Sequence, residues 1–467
     1  MKKAVLIILT ALLFVQLYGQ MESVERDSIY HLTIEQAVNY ALEHNAQIIN
    51  GKLDIKKAKW QIWQTTAMGL PQVNGSIQYT QYPNLPTQLM PNFLTPVIVQ
   101  VNTQIFGLQP QGPLPNPNEK IPVHFGSEYN AQWGITVSQL IFSGEYLVGL
   151  HASRIFKQLA EQNLQKTQRD IRASIEQSYV LVLIAEQSLR IMNESYDNAV
   201  TLRDKTEHLV AQGMGEDVQL DQMNYMVYQL KNQIKSVERQ NQVARRLLKF
   251  QLGMKMEDSL VLETTLDQVL SDIKLGNYLD TSFSVNQNID YQLIMSREYL
   301  AHSDLRREQA KFLPQVSGFF SYGKNAYSDE FNLLSSDQRW FKTVMFGFKV
   351  QIPIWDNGAK LASVMQKKID YLKIDNTREM MQQQLKIQYR QAYYNFINAF
   401  DRMLNEQRNI EFTRKIYDNT RIKYLKGAAS SLELTQAQNQ YLQAQGNYYS
   451  ALLDVIKAKT ALEKFIH

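Results

Sequence analysis

The side chains able to do chemistry are present in this 467-residue sequence, but their spacing does not gather them into a reactive centre. The seven histidines, His31, His44, His124, His151, His208, His302 and His467, form no His-Glu-x-x-His and no pair at helical metal-ligand spacing. Cysteine is absent, which excludes thiol nucleophiles, Cys-ligated metals, disulfides and a lipid-bearing N-terminal Cys. No Gly-x-Ser-x-Gly elbow, phosphate loop or dinucleotide fingerprint occurs. The acids fall on heptad helices, where carboxylates are surface charges before they are an acid–base pair. The 16 methionines are scattered, and Met223 sits in a heptad seam, so core packing accounts for them better than a metal-export relay. An enzyme, a cofactor and a bound metal are therefore not expected. The balance of 49 basic against 45 acidic residues is too slight to imply nucleic acid.

Function must then reside in the elements themselves, and their order begins with an export signal. Lys2 and Lys3 precede an apolar run from Ala4 to Phe14, followed by the small Gly19, the order of a secretory signal peptide over residues 1–19; the alternative is a membrane anchor that stays, for which the core is short. Beyond it no uncharged apolar run approaches 18 residues, so a bundle of transmembrane helices is excluded.

The remainder is a duplication. Leu70-Pro71-Gln72-Val73-Asn74-Gly75 recurs as Leu313-Pro314-Gln315-Val316-Ser317-Gly318, and the same 243-residue offset relates Asn45 to Asn288. Gly144, Gly213 and Leu220 pair with Gly358, Gly427 and Leu434 at an offset of 214, so the first copy carries about 29 extra residues. These coincide with nine of the twelve prolines, Pro83 to Pro122, read as a long loop. The repeats span 20–253 and 286–467, with a mixed segment over 254–285. Each copy reads helix, strand, loop, strand, long helix, turn, long helix. The first helix covers Gln36 to Met68; the strands lie near 72–82, 129–140, 315–323 and 340–352. The long helices cover about 145–211, 216–252, 358–426 and 430–466, the first about 100 Å if straight. Leu220, Val227, Ile234, Asn241 and Leu248 with Met223, Leu230, Val237 and Ala244 set heptads that recur 214 residues later, with Ala437, Ala444, Ala451 and Ala458 in the second seam. Gly213-Met214-Gly215 and Gly427-Ala428-Ala429 are the turns between long helices, and Asp217 is expected to cap the helix that follows.

The strands alternate one apolar face with one mostly of Gln, Asn, Ser and Thr, and no charged residue occurs from Trp60 to Asn118. Aromatic residues sit toward the strand ends: Tyr79, Tyr82, Tyr129, Trp133, Trp340 and Phe341. Lipid outside, water inside and an aromatic girdle predict that pattern. Four strands cannot close alone, and open edges have no partner in lipid, so several copies must share one barrel. The fold class is thus an α+β membrane protein, with four transmembrane strands per chain in an oligomeric barrel continuous with long coiled-coil helices. The alternative is a periplasmic coiled-coil scaffold with a soluble β-domain.

In their order and duplication these motifs resemble the TolC family of outer-membrane efflux and secretion ducts. The resemblance includes Tyr424-Leu425-Lys426-Gly427, then Ser431-Leu432-Glu433-Leu434 and Gln438-Asn439. It implies a homotrimer with a twelve-stranded barrel in the outer membrane of a Gram-negative bacterium and an α-barrel in the periplasm. As partners it implies a periplasmic adaptor and an inner-membrane RND, ABC or MFS pump, besides outer-membrane lipid. It also implies passive conduction of drugs or other exports, and a closed gate and adaptor contact at the helix tips. Tyr424 matches a gate tyrosine, and Glu433 a first acid of a selectivity ring, although Glu433 reads equally well as an exposed helix residue. Ala429, Gln436 and Gln219 stand where the family carries a gate arginine, a second ring acid and the arginine's acidic partner. A gate here would therefore rest on packing and neutral hydrogen bonds.

Overall fold

The computed structural model describes residues 29–92, 94–108, 120–273, 276, 283–332 and 335–466. The signal-peptide reading of 1–19 falls outside them. The described chain forms two compact units, one from Lys57–Lys157 with Glu298–Ile374, the other from residues up to Lys56, Gln158–Arg297 and from Asp375 onward. The spatial division runs across the duplication, because each copy supplies two strands to the first unit and a helical hairpin to the second.

In order, the elements are β1 (Ile29–Leu32), α1 (Ile34–His44), α2 (Ala46–Ala67), β2 (Gln72–Gln81), β3 (Thr87–Pro91), α3 (Leu94–Phe106), β4 (Lys120–His124) and β5 (Tyr129–Phe142). Then come α4 (Gly144–Ala211), α5 (Asp217–Leu252), β6 (Ser259–Leu262), α6 (Leu266–Asp272), α7 (Ile289–Ala310), β7 (Gln315–Ser328), β8 (Trp340–Gln351), α8 (Ala359–Leu425) and α9 (Ser431–Ile466).

The unit of strands is an antiparallel sheet of order β2-β5-β7-β8. Its register runs Gln72 to Ser138 through Gln81 to Tyr129, then Tyr129 to Ser328, then Gln315 to Gln351 through Ala326 to Trp340, with a bulge near Leu140. Because side chains alternate across a strand, this register sorts the residues. One face carries the rows Val73, Val137, Phe320, Phe346 and Gly75, Ile135, Tyr322, Val344. The other carries Asn74, Thr136, Ser321 and Gln78, Gln132, Asn325, laced by Gln132 Nε2 donating to Gln78 at 2.7 Å and by Thr136 and Ser321 hydroxyls 3.0 Å apart. The apolar face is bare in the single chain, with Ile77 90% and Phe346 80% exposed. Tyr79, Tyr129, Trp133 and Trp340 share it. Phe341 does not: it pairs with Asn325 on the polar face, since it follows Trp340 directly and must point the other way. Tyr82 lies just past the end of β2.

The proline-rich segment is more than a loop. Within it β3 and β4 form an antiparallel hairpin, and between them α3 carries Val97, Ile98, Val101 and Ile105 at helical spacing. Pro91 at the end of β3 and Pro122 in the middle of β4 mask these elements from a composition reading.

In the helical unit the expected single helix from Gln36 to Met68 is two, α1 and α2, broken at Asn45. Asn45 is extended and buried; its Nδ2 donates to Gln251 O at 2.6 Å, and its Oδ1 accepts from Gln47 N at 2.8 Å. Asn288 repeats the device, with Nδ2 on Lys464 O at 3.4 Å and Oδ1 accepting from Asp290 N at 2.9 Å. The asparagine pair found as a repeat thus starts α2 and α7 and ties each to the end of a return helix. Asn45→Ala removes the start signal and leaves Gln251 O without this donor, an expected loss of about 2 kcal/mol. Thermal unfolding followed by circular dichroism checks it, and an unchanged midpoint would count against the tie.

The heptads on α5 and α9 bury Met223, Val227, Leu230, Ala244 and Leu248 on one helix and Leu434, Ala437, Tyr441, Ala444, Ala451, Val455 and Leu462 on the other. The two helices pack together, the alanines permitting close approach. Between the repeats, β6 pairs in parallel with β1. Tyr179, fully buried, locks that pair by donating to Leu32 O at 2.8 Å and accepting from Thr264 N at 3.1 Å.

Candidate functional site

The two helix turns are built alike. Gly213 and Gly427 have φ of +71° and +72°. Each follows the last helical residues with the same pair of bonds: Gly213 N to Val210 O and Met214 N to Leu209 O, Gly427 N to Tyr424 O and Ala428 N to Lys423 O. This is a Schellman closure, which satisfies orphan carbonyls at a helix end and needs the left-handed conformation that glycine adopts without cost. Met214, Gly215, Ala428 and Ala429 complete the turns.

The return helices start differently. At α9, Ser430 and Glu433 form a capping box: the Glu433 carboxylate accepts from Ser430 N at 2.7 Å and from its hydroxyl at 3.1 Å, while Glu433 N donates to Ser430 Oγ at 3.2 Å. The backbone N–H of Ser430, then its hydroxyl, hold the Glu433 carboxyl below the usual carboxylate range. That cap is complete above the ordinary carboxylate pKa and is lost as pH falls through the depressed one. At α5 the capping position is Glu216, which makes no side-chain cap bond, and Asp217 is the first helical residue. The expectation that Asp217 caps is therefore corrected. Its charge still complements the positive helix start.

Above the turns the four long helices share a core of Ala199 and Leu202 from α4, Met223, Met226, Val227 and Leu230 from α5, Tyr417 from α8, and Leu434, Ala437 and Tyr441 from α9. Tyr417 and Tyr441 stack with centroids 5.9 Å apart. Burial raises both phenol pKa values, so they stay neutral at physiological pH. Tyr424 packs against this core, half-buried. Its hydroxyl lies 2.7 Å from Thr206 Oγ1, whose own proton goes to Leu202 O at 2.9 Å, so Tyr424 is the donor. Nearby, Arg421 donates to Asn198 at 3.0 Å, and the buried Ser431 hydroxyl donates to Gln222.

Tyr424 is thus held by its own chain, while Glu433 is exposed and engaged with its own helix start; no bond joins the two. The ion pairs near the turns, Arg203 with Asp204 and Arg414 and Arg421 with Asp418, each lie within one helix. Between helices the ties are Thr206 with Tyr424, Asn198 with Arg421, and Ser431 with Gln222. Thr206, Asn198 and Gln222 carry no motif that would reveal them. Ser430-x-x-Glu433 ahead of an apolar run is a readable capping signature. Among the described residues no three of His, Asp and Glu gather as a metal site, and no described helix is long and apolar enough to cross a membrane.

The outer membrane efflux protein family model matches residues 37–254 and 297–466. No curated protein matches the sequence. Among solved structures, CusC, described in connection with transmembrane channel formation, superimposes with a TM-score of 0.68 at 18% identity, over 92% of this chain and 91% of that one. The CmeC outer membrane channel of Campylobacter jejuni gives 0.67 at 15% identity, over 93% and 86%. The outer membrane protein VceC of Vibrio cholerae gives 0.64 at 13% identity, over 92% and 94%. At these identities the likeness is one of fold, and the family match carries the relationship.

Proposed function

We propose, on the premise that this chain belongs to the outer membrane efflux protein family, that it is the exit duct of a tripartite efflux pump or a type I secretion system. The family places it in the outer membrane of a Gram-negative bacterium, its helices in the periplasm, and the alternative of a soluble scaffold falls. In this reading three copies close a twelve-stranded barrel, a periplasmic adaptor docks at the helix turns, and an inner-membrane RND, ABC or MFS pump supplies the energy. Drugs or other exports pass through without reaction on the duct. The signal peptide over 1–19 is removed, repeats 20–253 and 286–467 form the duct wall, and 254–285 lies between them.

The observation that carries the reading is the two-faced sheet: apolar rows on one side, a ladder mainly of Gln, Asn, Ser and Thr on the other, and unpaired edges at β2 and β8 among the described residues. Such edges need neighbouring copies in lipid. A face mainly of amides and hydroxyls, with Lys349 its charged member in the strands, suits a wall that passes varied polar solutes.

Gating belongs to the turns. Gly213, Met214, Gly215, Gly427, Ala428 and Ala429 form the periplasmic rim, and Tyr424, fixed by Thr206, narrows it. Tyr424→Ala is expected to raise single-channel conductance in planar bilayers severalfold. Tyr424→Phe, which loses one neutral hydrogen bond of about 1 kcal/mol but keeps the ring, should raise it less. Wild-type conductance in Tyr424→Ala would remove this residue from the gate, and a monomer by mass measurement in detergent would overturn the duct itself. Glu433 tests separately as a ring member: Glu433→Gln should reduce cation selectivity in the same bilayers.

A further inference from the structure

The apolar face of the sheet contains one anomaly. The row Ile77, Trp133, Lys324, Lys342 sets two lysines directly opposite each other on neighbouring strands, on the side that faces lipid. Like charges at a directly opposed cross-strand pair destabilise a sheet, and a lysine on the lipid face of a barrel is costly except near the interfaces. Among the described residues neither lysine forms an ion pair. Their surroundings are aromatic: Lys342 Nζ lies 5.5 Å from the Tyr322 ring centroid, and Tyr322 meets Trp133 edge-on at 6.0 Å.

The height of the row is set by connectivity. The helices join the sheet at Gln72, Phe142, Gln315 and Gln351, so the opposite end, with the β7–β8 connection, is the outer one. From Lys324 and Lys342 the apolar face runs eight residues inward to Val316 and Val350, about 20 Å of depth at the usual strand rise and a tilt of ~40°. The row therefore crowns the apolar band, with Tyr79, Ala131, Ala326 and Trp340 one step further out. A pair of ammonium groups at that level, set among interfacial aromatic rings, is a receptor for an anion carried at the headgroup depth of a lipid. The first copy has no counterpart, since Gln81 stands where Lys324 falls by the 243-residue offset.

We infer that Lys324 and Lys342 form an anionic-lipid site on the outer rim of the barrel, the two ammonium groups holding one lipid phosphate while Trp133 and Tyr322 pack on its chains. Each protomer supplies one site. The bound phosphate relieves the repulsion that the register imposes, and couples the β7–β8 hairpin to the surrounding leaflet.

The test uses the full-length oligomer in neutral detergent, with native mass spectrometry after addition of dioleoyl phosphatidic acid or dioleoyl phosphatidylcholine. The wild type is expected to retain phosphatidic acid in preference, and the Lys324→Gln/Lys342→Gln double variant to lose roughly thirtyfold of that preference. Lys324→Arg/Lys342→Arg should keep it, as should Lys349→Gln, whose side chain lies on the polar face. Equal retention of the two lipids by the wild type, or an undiminished preference in the glutamine variant, overturns the site. Inorganic phosphate at millimolar concentration should not displace the lipid; displacement would make this a free-phosphate site and overturn the lipid assignment. If the glutamine variant does not assemble, the wild-type preference alone decides.

Discussion

Gly253→Ala is expected to destabilise the protein by about 3 kcal/mol, a large loss for a single methyl group. Gly253 ends α5 with φ of +79°, its N–H donating to Lys249 and Phe250 carbonyls. A side chain in that conformation costs about 1–2 kcal/mol by itself. Space is the second term: a Cβ here would lie 2.4 Å from His44 O and 3.1 Å from Asn45 N, both backbone atoms that cannot rotate aside. The clash falls where Asn45 breaks the α1–α2 path and bonds Gln251, so relief must move the joint between a return helix and the start of a repeat. Gly213→Ala is the internal control. Its φ is nearly the same, +71°, but nothing lies within 4 Å of the added carbon, so it should cost about 1–2 kcal/mol, the conformational term alone. Thermal melts of both variants in detergent separate the terms, and equal shifts would refute the close approach.

That joint also shows what was legible. Asn45 and Asn288 stand out in the sequence because the duplication kept both, yet a helical period continues on both sides of Asn45, and the one local sign of the break is the asparagine cap itself. The partners explain why: Gln251 and Lys464 lie 206 and 176 residues away, and a tie of that range leaves no trace in a window of a few turns. The same holds at the candidate gate. Tyr424 belongs to a readable motif, but Thr206, 218 residues distant, has none. Glu433 illustrates the opposite case. Its capping box with Ser430 is local, and Ser430-x-x-Glu433 is readable in the sequence. The β-face assignments are legible wherever period two is followed strictly; Phe341 lies near a strand end, but its parity with Trp340 puts it on the polar face. The proline-rich segment hid β3, α3 and β4 because its composition reads as loop even though Val97, Val101 and Ile105 keep helical spacing.

Parity also supplies the sharpest test of the membrane-facing surface. Phe346→Arg should cost about 2–4 kcal/mol of barrel stability and reduce the yield of assembled oligomer, whereas Met345→Arg, one residue away, should be tolerated. Phe346 belongs to the row Val73, Val137, Phe320, Phe346, two rows inward of Lys324 and Lys342 and near the middle of the apolar band. An arginine there faces hydrocarbon, where its charge is poorly solvated and its side chain must reach several ångströms to water. Met345 pairs with Ser321 in the ladder of Asn74 and Thr136 on the opposite face, where an arginine meets water and hydrogen-bonding side chains. Both residues are exposed in the single chain, so a soluble sheet would accept either substitution with similar ease. Only lipid on one side and water on the other makes neighbouring residues differ this strongly. Outer-membrane yield and heat-resistant oligomer on gels measure the difference, and equal behaviour of the two variants would remove the lipid from the face that the register assigns to it.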